Sequence, residues 1–370
     1  MKPKKWMMSI ATGNWWNIMR YYIRADANEE IGTGHVMRCL SIAEAFRHRG
    51  EEVTFIIADE RSRSMIEEHG FSVICLNSMW NDLEKEIASM VQVIKARGIS
   101  SLLIDSYFVT ETYLKEIGKY TKLVYIDDLN QFLYPVDLLV NYNIYAGELE
   151  YEKRYREAGL DTKILLGCRY VPLREEFSRI DRKINETVSR VLITSGGTDP
   201  YDAVGGILES FAEKSWFGVA EFQVILGRFN RNREKLEERW GDYKNVVLLR
   251  NVKNMAEHMT QCDMAVTAGG VTTYELCATG IPSVMYTLAD NQLDIAHTVS
   301  RLGIIPWVGD IREDRQQCLK AIGEQTEQLR NSLSMRRKLS EKMREMVDGK
   351  GCERLVDIIW PVRVNTVMDR

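Results

Sequence analysis

Residues 23–40 read IRADANEEIGTGHVMRCL. An apolar, strand-like start gives way to a polar loop, then to Gly32 and Gly34 with one residue between them, and His35 stands where a helical pattern begins. In the following VMRCLSIAEAFRHRG, Val36, Leu40, Ala43 and Ala45 share an apolar sector, and Gly50 suits a helix C-cap. Strand, glycine loop and helix in this order form the opening unit of a parallel α/β sheet. A phosphate-cradling loop favours small residues and backbone amides, so a titratable ring at this place points to chemistry of its own.

Downstream, EVTFIIA, FSVICL, SSLLIDSY, KLVYIDD, DLLVNYN and TKILLG are apolar strand runs, with helical stretches near 62–69, 81–97 and 110–118. The alternation predicts a parallel sheet covered by helices on both faces. FSRIDRKINETVSR, 177–190, is polar and charged and reads as a linker or linker helix. A second series starts at VLITSGG and runs through EFQVILG, NVVLLRNV, DMAVTAGG and PSVMYT, with helices near 201–214, 231–240, 254–261 and 272–279. The expected fold class is α/β, with two doubly wound Rossmann-like domains, 19–176 and 191–323, facing across a cleft. A helical segment, 324–370, follows; Leu339, Met343, Met346 and Val347 fit the stripe of a packing helix. Such sheets bind ligands beyond the carboxyl ends of their strands, so informative motifs should come directly after strands.

Composition narrows the classes. The 370 residues are 45% hydrophobic and 28% charged, with a formal net charge of -4 and no block of Lys and Arg, which argues against nucleic acid as a partner. The seven cysteines are scattered, without a CxxC or a Cys/His cluster, so neither a disulfide framework nor a zinc site is indicated and a reducing, cytoplasmic setting is expected. No apolar run approaches the roughly 18 residues of a membrane span. Residues 1–18, MKPKKWMMSIATGNWWNI, lack the continuous apolar stretch of a signal peptide and read as an extension outside the fold.

Three glycine loops follow strands: IGTGH, TSGGTDP at 194–200, and TAGGVTTYE at 267–275. Loop-to-helix junctions offer unpaired N–H groups and the positive end of the helix dipole, and glycine lets backbone approach an anion closely. Two such junctions in the second domain point to a bound diphosphate, although glycines also serve simply to make tight turns. A dinucleotide fingerprint is incomplete: Met37 stands where GxGxxG needs its third glycine, and His35 would crowd a pyrophosphate, although Asp59 and Glu60 lie where a ribose-binding acid would. Glu275, one turn into a helix, can accept hydrogen bonds from a ribose diol or simply complement the helix dipole. Asn291 and Gln292 offer uncharged donors and acceptors suited to sugar hydroxyls, with Asp290 as a plain N-cap in the other reading. Tyr107 ends the strand SSLLIDSY and should face the cleft.

Together IRADANEEIGTGHVMRC, LIDSY, YIDD, NYNIY, YVPLREEF, SGGTDP, the Gly269-to-Glu275 stretch and ADNQ resemble the UDP-2,4-diacetamido-2,4,6-trideoxy-β-L-altropyranose hydrolases of pseudaminic acid biosynthesis. Spore-coat polysaccharide proteins share these motifs, and the second domain is similar to the UDP-sugar site of the peptidoglycan N-acetylglucosamine transferase. The resemblance covers about residues 19 to 300, with GxGHxxRC its most specific element; residues 305–370 exceed what shorter members need. It implies a GT-B fold, a UDP-sugar as the small-molecule partner, neither cofactor nor metal, and His35 as the catalytic base. It carries sugar contacts onto Asp26, Gly34, Tyr107, Arg174, Asn291 and Gln292. UDP contacts fall on Gly196, Gly197 and Thr198 in one loop and on Gly269, Gly270, Thr272 and Glu275 in the other.

His35 at a helix N-terminus sits where the dipole disfavours a protonated ring, and a neutral imidazole is what a general base requires. It would deprotonate a water that attacks the sugar C1 opposite UDP, giving the inverted free sugar. Glycosidases pair two carboxylates because their leaving group needs a proton; UDP is already a good leaving group, its departing diphosphate stabilised by the amides of the Gly196-Gly197 and Gly269-Gly270 loops, so one base suffices. Two other classes remain open: a GT-B glycosyltransferase, which needs an acceptor, and a nucleotide-sugar binding module without turnover.

Overall fold

A computed structural model describes residues 20–359 except 179, 228 and 229; the extension expected at 1–18 and the last residues of the chain lie outside the described residues. The first sheet is built from β1 (Arg20–Ala25), β2 (Glu52–Ile57), β3 (Ser72–Cys75), β4 (Ser101–Asp105), β5 (Lys122–Ile126), β6 (Leu138–Asn141) and β7 (Lys163–Leu166). The second comprises β8 (Arg190–Thr194), β9 (Glu221–Leu226), β10 (Val246–Arg250), β11 (Met264–Ala268), β12 (Ser283–Thr287) and β13 (Trp307–Asp310). Helices α1 (Gly34–Arg47), α2 (Arg63–Glu68), α3 (Ile87–Arg97), α4 (Glu111–Gly118) and α5 (Tyr151–Glu157) connect the first series. The second carries α6 (Ala203–Ala212), α7 (Arg233–Trp240), α8 (Met255–Gln261), α9 (Thr272–Thr279) and α10 (Leu293–Arg301), and the chain continues into α11 (Arg315–Asn331), α12 (Leu333–Met346) and α13 (Gly351–Ile359).

Every strand pair is parallel. The orders are β3-β2-β1-β4-β5-β6-β7 and β10-β9-β8-β11-β12-β13. Both sheets are therefore doubly wound, with the order reversing between β1 and β4 in one and between β8 and β11 in the other. β4, β6, β11 and β12 are buried along almost their whole length, as strands covered on both faces must be. Local signals set helix ends: the Thr110 hydroxyl caps α4 by accepting from the Tyr113 amide, and α3 stops at Gly98 with φ 62°.

Several expectations shift. α1 is capped at His48, and Gly50 lies two residues beyond it, at φ 80°, donating to the Arg47 carbonyl. The described residues of 178–189 form no helix; they have no apolar period, and their hold is tertiary, with Arg182 buried and donating to the carbonyls of Met259 and Cys262. β13 carries no clear strand pattern in the sequence; its register against β12 shifts between Met285 and Thr287, and Gly309 adopts φ 131°.

The segment after residue 305 is integral. β13 completes the second sheet, α11 runs unbroken through 323 and 324 against α6, and α12 packs on α9 with Leu339 and Met343 buried. α13 returns to the first domain and lies on α1, burying Cys352, Leu355 and Val356. The return is tight: a Cβ on Gly351 would fall 2.0 Å from the Val171 carbonyl oxygen, and one on Gly349 would fall 2.2 Å from that of Phe177.

Candidate functional site

β1 and β4 are neighbours at the first switch point, with Ala25 and Asp105 register partners, so the loop after β1 opens beside the end of β4. That loop organises itself: the Asn28 side chain accepts from the amides of Glu30 and Ile31, and Gly32 takes φ 73°. His35 is the second residue of α1, which has no side-chain cap. The ring is 4% exposed, and its Nδ1 lies 2.6 Å from Asp105 Oδ1. The Tyr107 ring stands edge-on to it, with centroids 4.3 Å apart, and is partly exposed. Gly34 is exposed, without positive φ, and a Cβ there meets open space, so nothing among the described residues demands glycine.

Asp105 was not singled out from the sequence, and neither was Arg38. Arg38 donates from Nε to Asp105 Oδ2 and from Nη2 to Oδ1, both at 2.5 Å, and from Nη1 to Asp128 at 2.6 Å and the Tyr142 hydroxyl at 2.5 Å. Burial alone would push the Asp105 carboxyl up, but Arg38 and His35 beside it hold it well below the usual carboxylate range. An ionised Asp105 only accepts, so Nδ1 of His35 carries a proton, and the neutral form of the ring is the tautomer whose Nε2 is the free acceptor. Arg38 Nη2 lies 3.1 Å from the same Nδ1, but both are donors that share Oδ1. Tyr107 is pushed up to about 12 by burial and by Asp128, so its hydroxyl stays protonated at neutral pH.

The sign of the linkage follows from that depressed carboxyl. Its stabilising contribution is present above the ordinary value near about pH 4 and is lost as pH falls through the folded-state value. Thermal melts taken downward from about pH 7 should therefore lose stability in acid, and Asp105→Asn should flatten that dependence. Equal acid sensitivity in wild type and variant would show that other carboxylates set it.

Asp26 is 6% exposed and engaged within the fold. Its oxygens accept from Arg24 Nη1 at 2.5 Å and from the Ala58 amide at 2.8 Å, and the fully buried Arg24 also makes a bidentate pair with Glu86. A buried guanidinium needs such carboxylates. Asp59, the acid that kept a dinucleotide reading open, caps a short turn and is held by Arg61.

The second switch point lies between β8 and β11, and both glycine loops flank it. They differ in how the following helix begins. At α6 the Asp199 side chain of the SGGTDP loop already accepts from the amides of Ala203 and Val204; burial raises its carboxyl, against those two amides. In the loop itself the Gly196 amide donates to Thr194 Oγ1, whereas those of Gly197 and Thr198, both exposed, have no partner among the described residues. At α9 no side chain caps the N-terminus, and the amides of Gly270, Val271 and Thr272 have no partner among the described residues. Of the two helix starts expected to share an anion, the one at α9 is left open by its own side chains and the one at α6 is not. Ser195 Oγ and Thr273 Oγ1, one per loop, are buried hydroxyls without a partner among the described residues.

Gln292 backs this junction: a Cβ on Gly269 would fall 3.0 Å from Gln292 Cβ, and the Gln292 carboxamide accepts from the Leu288 amide. Asn291 beside it is exposed, and Asp290 pairs with Arg312 at 2.7 Å instead of capping α10. Glu275 is tied to Arg174 at 3.2 Å; burial raises its carboxyl, with Arg174 opposing. Arg174 also lies 3.2 Å from Glu176, which accepts from the Met255 and Ala256 amides at the start of α8. Among the described residues no three His, Cys, Asp or Glu side chains are grouped to hold a metal ion, and no helix is long and apolar enough to cross a membrane.

No family model matches the chain. It is 30% identical over 289 residues to the uncharacterized protein MJ1062 of Methanocaldococcus jannaschii, covering 74% of this chain but only 56% of that relative. It is 24% identical over 348 residues to the spore coat polysaccharide biosynthesis protein SpsG of Bacillus subtilis, covering 92% of this chain and 98% of that one. With the UDP-2,4-diacetamido-2,4,6-trideoxy-beta-L-altropyranose hydrolase of Campylobacter jejuni it shares 24% identity over 245 residues, 66% of this chain and 82% of the relative. Among solved structures, MurG of Acinetobacter baumannii superposes with a TM-score of 0.65 at 12% identity over 92% of this chain and 99% of its own. The calicheamicin glycosyltransferase CalG4 does so at 0.60 and 13%, over 92% and 97%. The two facing doubly wound domains are the GT-B fold.

Proposed function

We propose that the chain is a nucleotide-sugar hydrolase that releases UDP from a UDP-linked 2,4-diacetamido-2,4,6-trideoxy sugar, in the pseudaminic or related nonulosonic acid route. One observation carries the reading: a buried imidazole whose Nδ1 is held by a carboxylate stands at one switch point, and an uncapped, glycine-opened helix start stands at the other. His35 Nε2 takes a proton from water, and the oxygen forms a bond to C1. The bond from C1 to the β-phosphate oxygen breaks, and its electron pair leaves with UDP. The free amides at the start of α9 stabilise the departing diphosphate, joined by Gly197 and Thr198. Glu275, paired with Arg174, accepts from the ribose; Tyr107, Asn291 and Gly34 bound the sugar. The hydrolase named among the relatives supports the reading.

The structural neighbours named as transferases favour a second reading, in which the same base acts on an acceptor hydroxyl. Proton NMR with a panel of UDP-diacetamido sugars in water alone separates the two. Free, inverted sugar is expected without acceptor and with EDTA present. Turnover that appears only on adding an acceptor would assign a transferase, and loss in EDTA with rescue by magnesium would require a metal.

Glu275→Ala should weaken UDP binding tenfold or more, since a hydrogen bond to a charged acceptor is worth roughly 1.5–3 kcal/mol. Wild type should also discriminate against 2′-deoxy-UDP, and the alanine variant should not. Calorimetry on the four combinations yields the coupling; a value near zero would leave Glu275 as a partner of Arg174 only.

A further inference from the structure

An unbroken run of hydrogen bonds joins the two switch points. From His35 it passes to Asp105 and Arg38, and from Arg38 Nη1 to Asp128 Oδ2. Asp128 Oδ1 accepts from Asn143 Nδ2 at 3.2 Å, and Asn143 Oδ1 lies 3.2 Å from the hydroxyl of Tyr274, which donates to it. Tyr274 is in the second domain, on the first turn of α9, four residues after Gly270 and beside Glu275. Its hydroxyl also accepts from the Ile144 amide at 3.3 Å, and it is 1% exposed. A second route runs beside the first: the Tyr274 ring meets that of Tyr142 edge-on at 6.0 Å, and the Tyr142 hydroxyl accepts from Arg38.

We propose that Tyr274 is a positioning residue that ties α9 to the imidazole of His35, so that a ligand seated at the start of α9 is felt at the general base. The inference rests on the reading of His35 and α9 given above. Arg38 divides its donors between Asp105 and Asp128. When α9 moves, Tyr274 carries Asn143 with it. Asp128 then holds Arg38 more or less strongly, and the share left to Asp105 sets how firmly that carboxylate holds the Nδ1 proton. The groups are buried or, at Arg38 and Asp128, largely buried, so each change is only partly screened by water.

The test uses the full chain with 15N-labelled histidines. Of the five, His35 is identified by the signals lost in His35→Asn. Tyr274→Phe keeps the ring against Tyr142 and removes only the hydroxyl. Asn143→Asp keeps the acceptor for Tyr274 and loses the donor to Asp128. In ligand-free protein both should shift the His35 ring signals while those of His48, His69, His258 and His297 stay, which a purely stabilising role for Tyr274 would not do. Saturating UDP should move the His35 signals in wild type, and in Tyr274→Phe that response should shrink at least about twofold with UDP affinity held within about threefold. Turnover should fall about tenfold at nearly unchanged KM. Unmoved His35 signals in both ligand-free variants, or equal UDP responses in wild type and Tyr274→Phe, would overturn the inference. Failure of UDP to bind wild type would instead overturn the nucleotide reading, and the ligand-free comparison would still report on the link itself.

Discussion

Replacing His35 by asparagine is expected to lower kcat by at least about 10²-fold, the low end for loss of a general base. Asparagine suits the test because its amide can still donate to Asp105, so the buried carboxylate keeps a neutral partner beside Arg38. UDP affinity should stay close to that of wild type, since the α9 junction belongs to the other domain. Calorimetry with UDP and anomeric NMR with the sugar nucleotide are run on the same preparation. Near-full turnover in the variant would end the proposal for His35, and loss of UDP binding would mean that the substitution had disturbed the cleft as a whole.

Asp105→Asn is expected to lower kcat by up to about 10⁴-fold, the size of effect that losing an orienting carboxylate has on a catalytic histidine. An asparagine amide that donates to Nδ1 leaves the ring proton on Nε2, and a protonated Nε2 cannot take a proton from water. The same change removes the carboxylate that accepts two Arg38 donors. Breaking a buried ion pair from one side costs roughly 3–5 kcal/mol, and Asp128, which remains on Arg38, should keep the loss near the lower end. Rate and melting temperature therefore need to be measured together, with Arg38→Gln/Asp105→Asn as the companion variant. Restored stability without restored rate is the expected pattern. A single variant with turnover within about tenfold of wild type would show that Asp105 does not set the tautomer.

Much of the site is readable locally. The glycine loops and Tyr107 follow strands directly, and His35 and Glu275 lie in the first turn of the helices that come next, at the end where a doubly wound sheet binds ligands. What escaped is partnership. Asp105 lies 70 residues from His35 and Arg38 lies 90 from Asp128. One local clue was available: Asp105 ends the apolar run of β4, and a carboxylate there needs a partner. For Asp26, the same argument leads to a different answer, since Arg24 and the Ala58 amide take it up.

By itself the sequence determined the two α/β series, because strands buried on both faces must be written as apolar runs and helices as stripes, and those periods are local. It also determined where backbone could meet an anion, because glycine and the strand-to-helix change mark those junctions. The tertiary structure decided which junction stays open. Asp199 folds back onto the start of α6 while nothing caps α9, a difference of side-chain direction that spacing does not encode. It also decided the tautomer of His35, and that Tyr274 reaches the other domain, since both depend on groups that only strand order brings together. The place of α13 was settled the same way: its amphipathic pattern asks for an apolar partner, and the close passage of Gly349 and Gly351 along the backbone of 171–178 makes that partner α1.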